Sequence, residues 1–161
     1  MDNLALKDDY GTGTQVTQNS LQLIAFSIGE QTYGVEITTV REIRAWNGAT
    51  PLPNTREYVR GVINLRGTIV PIFDLRARFG EGQTSPTKNH VVVVMSVGDK
   101  WVGILVDAVS DILTVDRNDI HNVPEGNTMD TELLNGIVTH ESRMVGLIDL
   151  HAVVSGAKDD G

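Results

Sequence analysis

Apolar residues along this chain come in short runs broken by turn residues. Leu21-Gln22-Leu23-Ile24-Ala25-Phe26-Ser27-Ile28 is apolar on both parities, with partial alternation. Gly29-Glu30-Gln31 follows as a turn, and Tyr33-Gly34-Val35-Glu36-Ile37 returns, which is a hairpin pattern. Val91 to Val97, Gly98-Asp99-Lys100 and Trp101 to Val106 repeat that design. A third hairpin is predicted from Val62-Ile63-Asn64-Leu65, the turn Arg66-Gly67, and Thr68 to Phe73. Gly67 supplies the positive φ that a two-residue turn favours. A fourth runs from Ile137-Val138 through Met144 to Ile148. Helices are few. Asp74 is a predicted N-cap for residues 75–79, with Gly80 as the stop, and Asp149 opens a similar short helix to Val154. Residues 54–58 read as a single helical turn.

These resemblances have a period. Ser27–Ile43 laid on Ser96–Ile112, a shift of 69, matches Ser27/Ser96, Gly29/Gly98, Gly34/Gly103, Val40/Val109 and Ile43/Ile112. Gly61–Phe79 laid on Gly136–Val154, a shift of 75, matches Gly61/Gly136, Val70/Val145, Asp74/Asp149, Leu75/Leu150 and Ala77/Ala152. Turns fix the glycines and the core fixes the apolar positions, so the chain reads as two copies of one β-rich unit. Short strands joined by tight turns favour small barrels or sandwiches. Two barrels of about five strands each account for the length, with a binding groove expected at their interface.

Composition narrows the function. The chain has 161 residues, a formal charge of −8 and no cysteine. Disulfides and thiolate chemistry are excluded, and an acidic surface disfavours nucleic acid. The longest apolar run, Val91–Met95, is far short of the roughly 20 residues a membrane span needs. Direct membrane insertion is therefore not expected. Residues 1–19 and 156–161 are polar and aperiodic and read as frayed tails around a folded part at 20–155.

Catalytic patterns find little support. His90, His121, His140 and His151 have no metal-ligand spacing and read as surface or capping residues. No GxSxG elbow occurs, and Gly11-Thr12-Gly13 lacks the strand and the Lys-Ser/Thr ending of a phosphate loop. Glu36, Asp74, Asp107 and Asp149 are the carboxylates on apolar runs; Asp74 and Asp149 are repeat-related and read as caps. A small β-barrel enzyme would need one such acid buried with a partner in a concave pocket.

Arg66 stands out. Beside Gly67 at a hairpin tip, its fork of donors faces outward, where it is either a solvated turn residue or a bidentate contact for a partner. The matching tip in the second copy is Glu141-Ser142, so the two tips have diverged. Trp46 and Trp101 read as core anchors, with a partly exposed Trp46 as an interface candidate.

Asn64-Leu65-Arg66-Gly67 followed by Pro71-Ile72-x-Asp74-Leu75-Arg76 resembles the CheW family of chemotaxis coupling proteins. So do Tyr33–Ile37, Val40-x-Glu42-Ile43-Arg44, and Gly103–Ile112, and the resemblance covers about residues 20–155. It implies an all-β fold of two SH3-like five-stranded barrel lobes from an internal duplication, with a few short helices. It implies a non-catalytic adaptor with no cofactor and no metal, coupling chemoreceptors to the CheA histidine kinase. A CheW-like coupler in a motility or biofilm pathway is the alternative. The implied partners are the cytoplasmic tip of chemoreceptors and the regulatory domain of CheA, and the implied location is the cytoplasm, at membrane-associated arrays. Positions matching the family's receptor contacts are Val40, Glu42, Gly61, Arg66, Val91 and Ile112. Ile43, Thr50 and Gly67 are the expected kinase contacts on the first barrel. An ion pair between Glu42 and Arg66 is expected to position Arg66.

Overall fold

The computed structural model describes residues 19–124 and 131–155. Of the predicted tails, residues 1–18 and 156–161 lie outside the described residues. The described residues form ten strands: β1 (Ser20–Ile28), β2 (Gln31–Glu36), β3 (Val40–Ala45), β4 (Val59–Leu65), β5 (Thr68–Asp74), β6 (Val91–Val97), β7 (Lys100–Val106), β8 (Ala108–Asp116), β9 (Leu134–His140) and β10 (Arg143–Ile148). Two short helices follow β5 and β10: α1 (Leu75–Arg78) and α2 (Leu150–Val154). Asp74 and Asp149 cap them as predicted, accepting from the Ala77 and Ala152 amides. No helix forms at residues 54–58. Asn54 there has φ of +58°, a left-handed conformation that ends a right-handed turn.

The strands assemble into two five-stranded sheets. Lobe 1 has the order β3-β6-β7-β5-β4 and lobe 2 the order β8-β1-β2-β10-β9. The two copies exchange their leading hairpins. Lobe 1 takes β3, β4 and β5 from the first copy and β6–β7 from the second; lobe 2 takes the converse set. β7 joins β5 in parallel, and β2 joins β10 in parallel, at matching places.

That exchange explains the unbroken apolar runs. In β6, Val92 and Val94 point into the interior of lobe 1, whereas Val93 and Met95 point into a core shared by both lobes. In β1, Leu21, Leu23 and Ala25 fill lobe 2, whereas Ile24, Phe26 and Ile28 enter the shared core. A strand buried on both faces has no polar parity. The edge strand β3 alternates between exposed and half-buried positions.

Each sheet closes on itself through one extra bridge. Thr50, beyond β3, exchanges two 2.8 Å backbone hydrogen bonds with Val62 on β4. His121, beyond β8, does the same with Ile137 on β9. The repeat-matched Gly61 and Gly136 lie beneath these crossings. A Cβ on Gly61 would stand 2.2 Å from the Thr50 carbonyl oxygen, and one on Gly136 would stand 2.8 Å from Ile120 Cγ2.

Candidate functional site: the seam of lobe 1 and the edge strand β3

Arg66 and Gly67 form the two-residue turn between β4 and β5, with φ of +50° and +89°. Positive φ at both positions suits the right-handed twist of a hairpin. The Asn64 side chain accepts from the Gly67 amide at 2.8 Å and fixes the tip. Arg66 is a non-glycine residue in the left-handed region, which costs about 1–2 kcal/mol. Its Nη2 donates to Glu42 Oε1 at 2.8 Å, and Arg44 Nη1 lies 3.5 Å from Glu42 Oε2. The expected pair therefore forms. It links the turn beyond one sheet edge, β4, to the other edge, β3, and so spans the barrel seam. Arg66 remains 68% exposed at its side chain against 25% for Glu42, leaving most guanidinium donors facing outward.

The other predicted residues divide between two sides of β3. Residues directly opposed in an antiparallel ladder project to the same face. Glu42 opposes Val94 and Arg44 opposes Val92, both interior to lobe 1. Ile43 opposes Val93, on the side of the shared core. Val40 and Val91 pack against that shared core, half-buried. Ile112 lies on β8 of lobe 2, opposite Ile24, and so stands on the corresponding inter-lobe face. Thr50 is exposed at the closing bridge, beside an open hollow of about 470 Å³ whose lining includes Arg44, Trp46, Asn47 and Asn64. Gly61 is buried beneath Thr50 and offers no side chain to a partner; its contribution is the close passage of the 50–51 segment.

The duplication gives this surface a counterpart. Ile43 and Ile112 are repeat-related and 43% and 55% exposed, and the repeat-related Ile69 and Met144 are 59% and 54% exposed. Glu141 and Ser142 adopt φ of +50° and +70°, the same turn as Arg66-Gly67. Asp111, which corresponds to Glu42, takes Arg143 at 3.3 Å. The acid–arginine pairing thus survives in lobe 2, with the arginine moved from the turn to the first residue of β10. Sequence comparison of the tips alone misses this, because Arg143 is aligned with Thr68.

Asp107 forms a junction behind the site. It accepts from the Gly29 amide at 2.7 Å and from Arg76 Nη2 at 2.6 Å, with His90 Nε2 at 3.5 Å. Burial pushes its pKa up, but the Gly29 amide, the Arg76 hydrogen bond and charge, and His90 together outweigh it and hold the carboxyl below the usual range. Asp74 is fully buried and saturated: Thr84 N and Oγ1 each donate at 2.7 Å, the Ala77 amide at 3.3 Å, and Arg60 lies 3.6 Å away. Both acids hold loops against strands. Among the described residues no group of three acidic or histidine side chains is placed to hold a metal, and no helix is long and apolar enough to cross a membrane.

Comparison with known proteins gives the lineage. The family model of the CheW-like domain matches residues 22–158. The chain belongs to the CheW family. A probable chemotaxis protein CheW of Rhizobium etli is 45% identical over 146 residues, covering 90% of this chain and 94% of that protein. The chemotaxis protein CheW of Rhizobium meliloti is 45% identical over 139 residues, covering 86% and 90%. The crystal structure of the scaffolding protein TtCheW from Thermoanaerobacter tengcongensis superposes with a TM-score of 0.79 at 31% identity, covering 90% of this chain and 97% of that one. The CheW fold of two SH3-like lobes is thus shared across the described strands.

Proposed function

We propose that this CheW-family chain is a non-catalytic adaptor of chemotaxis that couples chemoreceptors to the histidine kinase CheA. The 45% identity to a chemotaxis CheW protein over 90% of the chain carries this reading. The geometry supplies a means. A receptor tip is a bundle of helices, and an amphipathic helix binds where apolar anchors lie beside oriented polar groups. Strand β3 offers both within one edge: the inter-lobe side with Val40, Val91 and, across on lobe 2, Ile112, and the seam side with Glu42 and Arg66. We assign these residues to the receptor, with Gly61 acting from beneath. Thr50 and Gly67, at the closing bridge and the hairpin tip of lobe 1, are assigned to the kinase regulatory domain together with Ile43, which is exposed on the inter-lobe side of β3. Such a protein works in the cytoplasm and reaches membrane arrays through its partners. Modest single contacts suffice in an array, because linked binding events raise avidity.

The test is binding of the full chain to a receptor cytoplasmic fragment and, separately, to the CheA regulatory domain. The adaptor reading expects both to bind, with Arg66→Ala weakening the receptor complex and leaving the kinase complex intact. Failure of the folded protein to bind either partner would falsify it. Unchanged receptor binding by Arg66→Ala keeps the adaptor role and removes Arg66 from the contact.

A further inference from the structure

The two lobes differ at one end of the barrel. In lobe 1, Trp46 donates its amide to the His90 carbonyl at 2.9 Å and packs its ring against the interior cluster. The Arg60 guanidinium lies 5.9 Å from the centre of that ring, a cation–π distance, and reaches back to Asp74. The duplication places Val115 where Trp46 stands and Asn135 where Arg60 stands. The register agrees: Val115 opposes Leu21, as Trp46 meets His90. Lobe 2 therefore lacks the counterparts of both Trp46 and Arg60 at this end.

A cavity of about 170 Å³ opens there. Its walls include Leu21, Leu23, Val35, Leu147 and Ile148, each less than 10% exposed. Glu36, Arg117 and Asn135 stand among its lining residues as the polar members. The pocket opens to solvent on its polar side, so a ligand seated there would displace water from the hydrocarbon walls.

We propose that the lobe 2 cavity is a binding site for a small apolar molecule of single-ring size, with one polar substituent directed to Glu36, Arg117 and Asn135. Shape and chemistry both select this class. The walls accept a ring or a short branched chain, and the three polar residues give one end of the ligand a hydrogen-bonding partner.

Methyl-resolved NMR on the full chain tests this, with toluene and p-cresol as probes. Saturable shifts are expected at the methyls of Leu21, Leu23, Leu147 and Ile148, with those of Val70 and Val94 in lobe 1 unmoved. The double change Val115→Trp with Asn135→Arg brings the lobe 1 pair of side chains to this end, Asn135 being a lining residue, and Ile120→Trp narrows the site from a half-buried lining position. Either is expected to weaken toluene binding by at least about tenfold. If the double variant loses cooperative unfolding, Ile120→Trp decides. Absence of saturable shifts in the wild type, or undiminished binding in a folded variant, overturns the site. A p-cresol affinity no better than that of toluene overturns the role of the polar residues.

Discussion

Arg66 reaches Glu42 at 2.8 Å from a backbone conformation that arginine disfavours, with φ of +50°. An exposed ion pair contributes only about 0–1 kcal/mol, and the left-handed backbone costs about as much. Stability therefore does not explain arginine at this position. Arg66→Gly is expected to leave urea stability unchanged or raise it by up to about 1 kcal/mol. The same variant should weaken binding of a receptor fragment. A parallel fall in stability and binding would reassign Arg66 to the fold.

Gly61 and Gly67 separate two ways in which a glycine is required. Both have positive φ, +132° and +89°, but a Cβ on Gly67 meets nothing within 4 Å, whereas one on Gly61 enters the Thr50 carbonyl. Gly67→Ala should cost about 1 kcal/mol from backbone strain alone. Gly61→Ala should cost about 3 kcal/mol or more, because the bridge that closes lobe 1 has to move. Equal chemical-denaturation midpoints for the two variants would remove the closing bridge as the cause.

Asp107 makes stability fall with acid in a defined way. Its folded pKa is depressed, so its contribution is present above the unfolded aspartate pKa of about 3.9 and disappears as pH drops through the lower folded value. Asp107→Asn should destabilise the protein by about 1–3 kcal/mol at pH 7. The gap between variant and wild type should narrow as pH falls below about 4, measured by thermal unfolding across pH. A gap independent of pH would mean that packing, not charge, accounts for the loss.

Asp74 and Asp149 are repeat-related caps with unequal burdens. Asp149 caps α2 and is half-buried, so Asp149→Ala should cost about 1 kcal/mol. Asp74 adds two 2.7 Å hydrogen bonds to the buried Thr84 and so anchors the loop after α1. Thr84→Val, which removes one of them, is expected to cost about 1–3 kcal/mol. Asp74→Ala should exceed both in a urea titration.

The hairpins were legible because their turns contain glycine and their strands are apolar. The caps were legible because Asp at a strand-to-helix step has one common use. Strands β3 and β8 carry no clear strand pattern, since Val40-Arg41-Glu42-Ile43-Arg44-Ala45 mixes charge with apolar residues, as an edge strand does. The Glu42–Arg66 pair was anticipated from the family pattern. Arg44 and the Asp111–Arg143 pair were not, because their partners lie on strands whose neighbours are fixed by tertiary folding. The exchange of hairpins was also hidden: a repeat in sequence shows that units are alike and is silent on which unit completes which sheet. The predicted helical turn at 54–58 failed on one residue, Asn54, whose left-handed φ is a common choice for asparagine.

The crossed hairpins also determine how the molecule can be divided. A fragment ending near residue 80 keeps β1–β2 but lacks the strands that flank them, and keeps β3, β4 and β5 without their centre. Neither half owns a complete sheet. A half-length gene would encode a chain that folds only by pairing with a second half, and the two fragments of this protein, made separately, should recover the native fold on mixing. The covalent connection between the copies then serves to raise the local concentration of one half around the other.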